Sequence, residues 1–104
     1  MGYRSEVYIG IKPSLKDEFE KIAGDYFEVE SEQDDIIIYL GSWLKWYDSY
    51  DDVVNISKFV MDTDDGNFLV ALGEDGIHHS EIGEWYDYLE LVHTITSLKL
   101  KNRN

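Results

Sequence analysis

Apolar and polar positions change their period several times along this chain, and each change marks an element. Residues 3–12 alternate, with Tyr3, Ser5, Val7, Ile9 and Ile11 on one side and Arg4, Glu6, Tyr8, Gly10 and Lys12 on the other. This predicts a strand with one buried face. Pro13 and Ser14 then open a helix, with Ser14 as its N-cap, Leu15, Phe19, Ile22 and Ala23 at helical spacing, and Gly24 as its stop. A short strand follows from Tyr26 to about Glu30. The loop Glu32 to Asp35 is too short for a crossover helix, so that strand should form an antiparallel hairpin with the next one.

Residues 36–44 carry apolar side chains at both parities, Ile36, Ile38, Leu40 and Leu44 against Ile37, Tyr39 and Trp43. A strand covered on both faces reads this way, and it is expected at the centre of the sheet. A second helix is predicted from about Ser49 to Met61, with Ser49 and Asp52 spaced as a capping box. Its apolar stripe is Tyr50, Val53, Val54, Ser57, Val60 and Met61, widened by Ile56 and Phe59. Asp62 to Asn67 is a stop and turn, Phe68 to Leu72 another interior strand, and Glu74 to Gly76 a turn into a hairpin partner over Ile77 to Ile82. Trp85 to Leu100 is rich in β-branched and aromatic residues and reads as a strand with a bend, with a helix from Trp85 through Val92 as the competing reading.

The order strand, helix, hairpin, helix, strands predicts an α+β class: a mainly antiparallel sheet of five or six strands with two helices on one face. The first six elements fit a ferredoxin-like βαββαβ plan with strands added at the C-terminal end. The 104 residues suit one domain, expected over 1–98, with 99–104 as a basic frayed tail.

Charge narrows the function. Twenty-two acids against nine bases give a formal charge of −13, and between Asp25 and Glu90 eighteen acids face two bases, Lys45 and Lys58. Such a field repels nucleic acid and anionic membrane and attracts basic surfaces. The absence of cysteine removes disulfide and thiolate-metal chemistry. MGYRSEVYIG lacks the apolar centre of a signal peptide, and no apolar run reaches the roughly 18 residues of a membrane span. The expectation is a soluble protein acting in a cytoplasm.

Motifs of chemistry are weak. Asp62, Asp64, Asp65, Gly66 and Asn67 are spelled like part of a calcium loop, but the glycine and the closing glutamate of an EF-hand fall on the wrong positions, which leaves a helix-ending turn. His78 and His79 are adjacent and so point to opposite faces of a strand; a metal enzyme built on His79, Glu81 and His93 would lack any recognised ligand spacing. With no nucleophile elbow, P-loop or dinucleotide fingerprint, the chain is expected not to be an enzyme, and no cofactor or metal is assigned to it.

Two aromatic clusters stand out instead, Trp43, Trp46, Tyr47 and Tyr50 and, further on, Trp85, Tyr86 and Tyr88, both rimmed by acids. Aromatic anchors in polar surroundings are what partner sites are made of, although a core with a solvated rim gives the same pattern. The expected contact residues are Glu28, Glu30, Glu32, Asp34 and Asp35 on the hairpin, Asp48, Asp51 and Asp52 at the start of the second helix, and Trp46, Tyr50 and Trp85 from the aromatic clusters with the flanking Asp87.

The opening Met1-Gly2-Tyr3-Arg4-Ser5-Glu6-Val7 resembles the start of small tailed-bacteriophage proteins of uncharacterised role, and Trp43 to Tyr47 and Gly73-Glu74-Asp75 are similar to their later stretches. In composition the chain also resembles acidic phage inhibitors of anti-CRISPR and anti-restriction type. These likenesses imply a phage protein that works in the host cytoplasm and docks on the basic surface of a host nuclease or other nucleic-acid-binding complex. The alternative is a structural or assembly module, homo-oligomeric or virion-associated.

Overall fold

A computed structural model describes residues 4–47, 49–73, 78–85, 88–92 and 97–100. The strands are β1 (Ser5–Ile11), β2 (Glu28–Glu32), β3 (Ile37–Leu44), β4 (Phe68–Gly73), β5 (His78–Ile82), β6 (Leu89–Val92) and β7 (Ser97–Leu100), and the helices are α1 (Lys16–Ala23) and α2 (Asp51–Thr63). Five strands form one antiparallel sheet in the order β2-β3-β1-β4-β5, and β6 and β7 pair separately. The architecture is α+β, as the pattern predicts. Each helix joins two strands that run the same way with a third between them, β1 to β2 around β3 and β3 to β4 around β1, which is a split βαβ connection.

The sheet separates two cores. On one face Val7, Ile9, Ile11, Ile37, Tyr39, Leu69 and Ala71 pack with Phe19 and Ala23 of α1 and Val53, Ile56 and Val60 of α2, so both helices cover the same side. On the other, Tyr8, Ile36, Ile38, Phe68, Val70 and Leu72 pack with Trp85, and Leu40 and Tyr88 border them. The two parities of residues 36–40 therefore feed different cores, as their pattern requires.

Several expectations need correction. β1, not β3, holds the centre, and it is buried on both faces: Tyr8 lies in the second core and Gly10 beneath the ring of Phe68. A tyrosine and a glycine carry too little hydropathy to signal that face from sequence. Ser14 caps nothing. A short 3-10 turn over Pro13–Leu15 precedes α1, and no side chain caps either that turn or α1. The capping box at Ser49 is likewise not formed, since Tyr50 occupies the N-cap of α2 without a side-chain bond. Val54 and Met61 face solvent, so the buried stripe of α2 runs through Val53, Ile56 and Val60 instead.

The helical reading of 85–92 gives way to the β6–β7 hairpin. β7 extends to Leu100, two residues past the boundary drawn at 98, and residues 101–104 lie outside the described residues. The segment after α2 is the expected turn: the Gly66 N–H donates to Asp64 Oδ1 at 2.7 Å, and the Asn67 N–H to the Asp64 carbonyl at 3.2 Å.

Candidate functional site

The end of β3 is bent by a bulge. Ser5 pairs with Leu44 and Val7 with Gly41, so Ser42 and Trp43 together oppose Glu6 alone. Trp43 takes the left-handed conformation there, with φ 59°, which for a residue with a β-carbon costs on the order of 1–3 kcal/mol. The guanidinium of Arg4 donates to its carbonyl at 3.5 Å, and the indole stays 63 % exposed.

Beyond the bulge the chain folds back into α2 and leaves a pocket of about 460 Å³. Its walls are Leu44 and Trp46 from the end of β3, Tyr26 and Phe27 from the approach to β2, and Tyr50, Val53 and Ile56 from the start of α2; Arg4, Trp43, Lys45 and Asp52 complete it. Phe27 meets Trp46 edge-on at 6.0 Å and Tyr47 meets Tyr50 at 5.2 Å, contacts that hold the aromatic wall in place. The Nε1–H of Trp46 is buried and has no acceptor. An orphaned buried donor of this kind costs about 1–3 kcal/mol. Trp85 shows the contrast, its Nε1–H donating to Glu81 at 2.7 Å.

A shallower hollow of about 410 Å³ adjoins it along Phe27, lined by Glu20, Gly24, Asp25, Val29 and Tyr39. Tyr39 donates its hydroxyl proton to Glu20 at 2.8 Å, and Lys16 bridges the same carboxylate at 3.0 Å. The bonds from Lys16 and then Tyr39 lower the Glu20 pKa, while burial and then the hydrogen bond to Glu20 raise that of Tyr39.

The twelve expected contact residues are dispersed. Glu28, Glu30, Glu32, Asp34, Asp35, Asp51 and Asp52 are exposed, and Tyr50 is 43 % exposed. They do not form one stripe. Asp34 and Asp35 sit before β3 while Asp51 and Asp52 follow it, so seven residue steps, about 23 Å of strand, lie between the two groups.

A second bulge, between Val29 and Ser31, also splits the hairpin acids: Glu28 pairs across from Leu40 on the second-core side and Glu32 across from Ile37 on the helix side. Glu30 accordingly acts on Tyr8 and Glu32 on Tyr39.

Trp46 and Trp85 are core residues, 5 % and 8 % exposed, and they belong to opposite faces of the sheet. Among the described residues the two aromatic clusters thus have their buried tryptophans in opposite cores, and Tyr86 lies outside the described residues. Asp48 and Asp87 lie outside the described residues, as does His93, the third member of the metal arrangement considered from sequence. Among the described residues no group of three or more His, Asp or Glu side chains is placed to hold a metal, and no helix is long and apolar enough to cross a membrane. Arg4, Tyr26 and Phe27 join the pocket without any signal in the sequence, being far along the chain from Trp46. Comparison with models of protein families, with curated proteins and with solved structures gives no match to this chain.

Proposed function

We propose that this chain is an acidic interaction protein that docks on the basic, nucleic-acid-binding surface of another protein and blocks it, in the manner of phage anti-defence inhibitors. The observation that supports the reading is the exposure of carboxylates at both ends of β3 and along β2 in a molecule measuring 36 × 35 × 21 Å with a formal charge of −13. Its long dimension matches about one turn of duplex DNA, near 34 Å, along which charge is likewise spread rather than clustered. Acids separated by the length of a strand suit a partner whose cations are spaced along a nucleic-acid channel. They suit a point-like cation poorly.

Self-association through β2, the route an assembly module would use, is disfavoured by the same residues. Two copies of this edge strand paired in antiparallel fashion would set the carboxylates of Glu28, Glu30 and Glu32 of both copies along one seam, and the bulge at Glu30 would break the ladder.

The test is retention of host proteins on the immobilised chain, eluted first with salt and then with duplex DNA. Recovery of a nucleic-acid-binding protein that DNA displaces is the expected result. The paired reversals Asp34→Lys with Asp35→Lys, and Asp51→Lys with Asp52→Lys, should each weaken capture at unchanged melting temperature. Capture indifferent to all four reversals and to DNA overturns the reading.

A further inference from the structure

The pocket at the end of β3 carries chemistry that an acidic docking surface does not use. Five aromatic side chains, Tyr26, Phe27, Trp43, Trp46 and Tyr50, meet there around about 460 Å³, a volume within the range of small-molecule sites, roughly 300–1,000 Å³. Its polar groups are mostly donors. The two cations Arg4 and Lys45 line the same space. Two cations at one pocket run against the sign of a chain in which acids outnumber bases by more than two to one.

The geometry points to this pocket as a binding site for a small planar aromatic anion, an aromatic carboxylate or a mononucleotide. The ring of such a ligand stacks among the aromatic walls, and its anionic group meets Arg4 and Lys45. A cationic ligand would face the same two cations. A neutral ring gains the stacking alone. Trp43, held in a left-handed conformation at the bulge with its indole largely exposed, forms the open side of the site. This assignment differs from the acidic-surface reading in resting on Arg4 and Lys45, while Trp46, Tyr50 and Asp52 are common to both.

The experiment follows the assigned indole N–H resonance of Trp46 by heteronuclear NMR while the protein is titrated with naphthoate and with adenosine monophosphate. The neutral counterparts naphthalenemethanol and adenosine are run beside them. The expected result is a saturable shift of that resonance with at least one anion, which binds about tenfold more tightly than its neutral counterpart, equivalent to about 1.4 kcal/mol. Saturation by naphthoate assigns the carboxylate class, and saturation by the nucleotide assigns the phosphate class. In Lys45→Gln, an exposed position where folding is undisturbed, the preference for the anion should fall several-fold at unchanged melting temperature. No saturable shift with either anion, or equal affinity for anion and neutral analogue, overturns the assignment.

Discussion

Phe68 lies over Gly10 on the neighbouring strand, its ring occupying the space a β-carbon would need: even Cζ would stand only 2.7 Å from that carbon. The same ring stacks on Tyr88 at 5.3 Å and 18°, so the glycine on the central strand sets where the cover of the second core can rest.

Gly10→Ala should therefore cost about 2 kcal/mol, within the range for overpacking a filled core. Urea denaturation measures it. Phe68→Leu made in the Gly10→Ala background should cost less than in the wild type, because the two residues compete for one volume; strictly additive losses would show that the ring moves aside freely.

Asn67 ties α2 to the end of β1. It is 2 % exposed, its Oδ1 accepts from the Lys12 N–H at 3.1 Å, and its Nδ2 donates to the Val60 carbonyl at 3.2 Å and to Thr63 Oγ1 at 2.8 Å. Asn67→Ala leaves those partners unmatched and should cost about 2–4 kcal/mol. Amide exchange of Lys12 should accelerate more than that of residues inside β1, and uniform acceleration would deny the residue a local role.

Stability should fall at high pH. Burial, with the nearby charges of Glu6 and Glu30, pushes the Tyr8 phenol up to about 12, and Tyr39 is also raised, first by burial and then by Glu20. A raised folded-state value means that the stabilisation is complete below the unfolded value near 10 and is lost as pH climbs through the folded one. Between pH 10 and 12 the unfolding free energy should drop by about 1.4 kcal/mol per unit for each such tyrosine. Chemical denaturation at stepped pH gives the slope, and in Tyr8→Phe it should be visibly shallower.

Trp43→Asn separates stability from binding. Asparagine tolerates the left-handed region that the bulge imposes and gives up a side chain that is mostly in water. Melting temperature should stay level or rise, while binding of aromatic anions at the pocket weakens. A fall in melting temperature would place the Trp43 indole in the stabilising core after all.

Trp46→Phe should be nearly neutral for the fold, because the loss of ring volume is offset by removal of an unpaired buried N–H. Its denaturation midpoint checks this directly.

Much of the architecture is legible in the pattern of side chains. The run Ile36 to Leu40 and the run Phe68 to Leu72 announce interior strands because both parities are apolar, and the loop at 32–35 is short enough to dictate a hairpin. The centrality of β1 is not legible, since two of the three residues on its second face are an amphipathic tyrosine and a glycine whose space another strand fills. The supposed stripe of acids fails for a geometric reason: one extra residue at Glu30 turns Glu32 to the other face, and sequence proximity says nothing of the strand length separating Asp35 from Asp51. The pocket is invisible because its walls come from residues 4, 26–27 and 43–56, which only the return of β2 along β3 brings together.

The order in which the two cores are closed has a consequence for synthesis. The fully buried residues of the helix-covered core all lie before residue 72, with Ile82 of β5 packing on its border, so a nascent chain can bury most of that face once β4 has emerged from the ribosome. The opposite face waits for Trp85 and Tyr88. Until those residues are released, Ile36, Ile38, Val70 and Leu72 offer a wet apolar wall to any chaperone or neighbouring chain. Premature termination in the seventies should accordingly yield a half-clad sheet that clumps, and translation speed over the codons between β4 and Tyr88 becomes a determinant of yield.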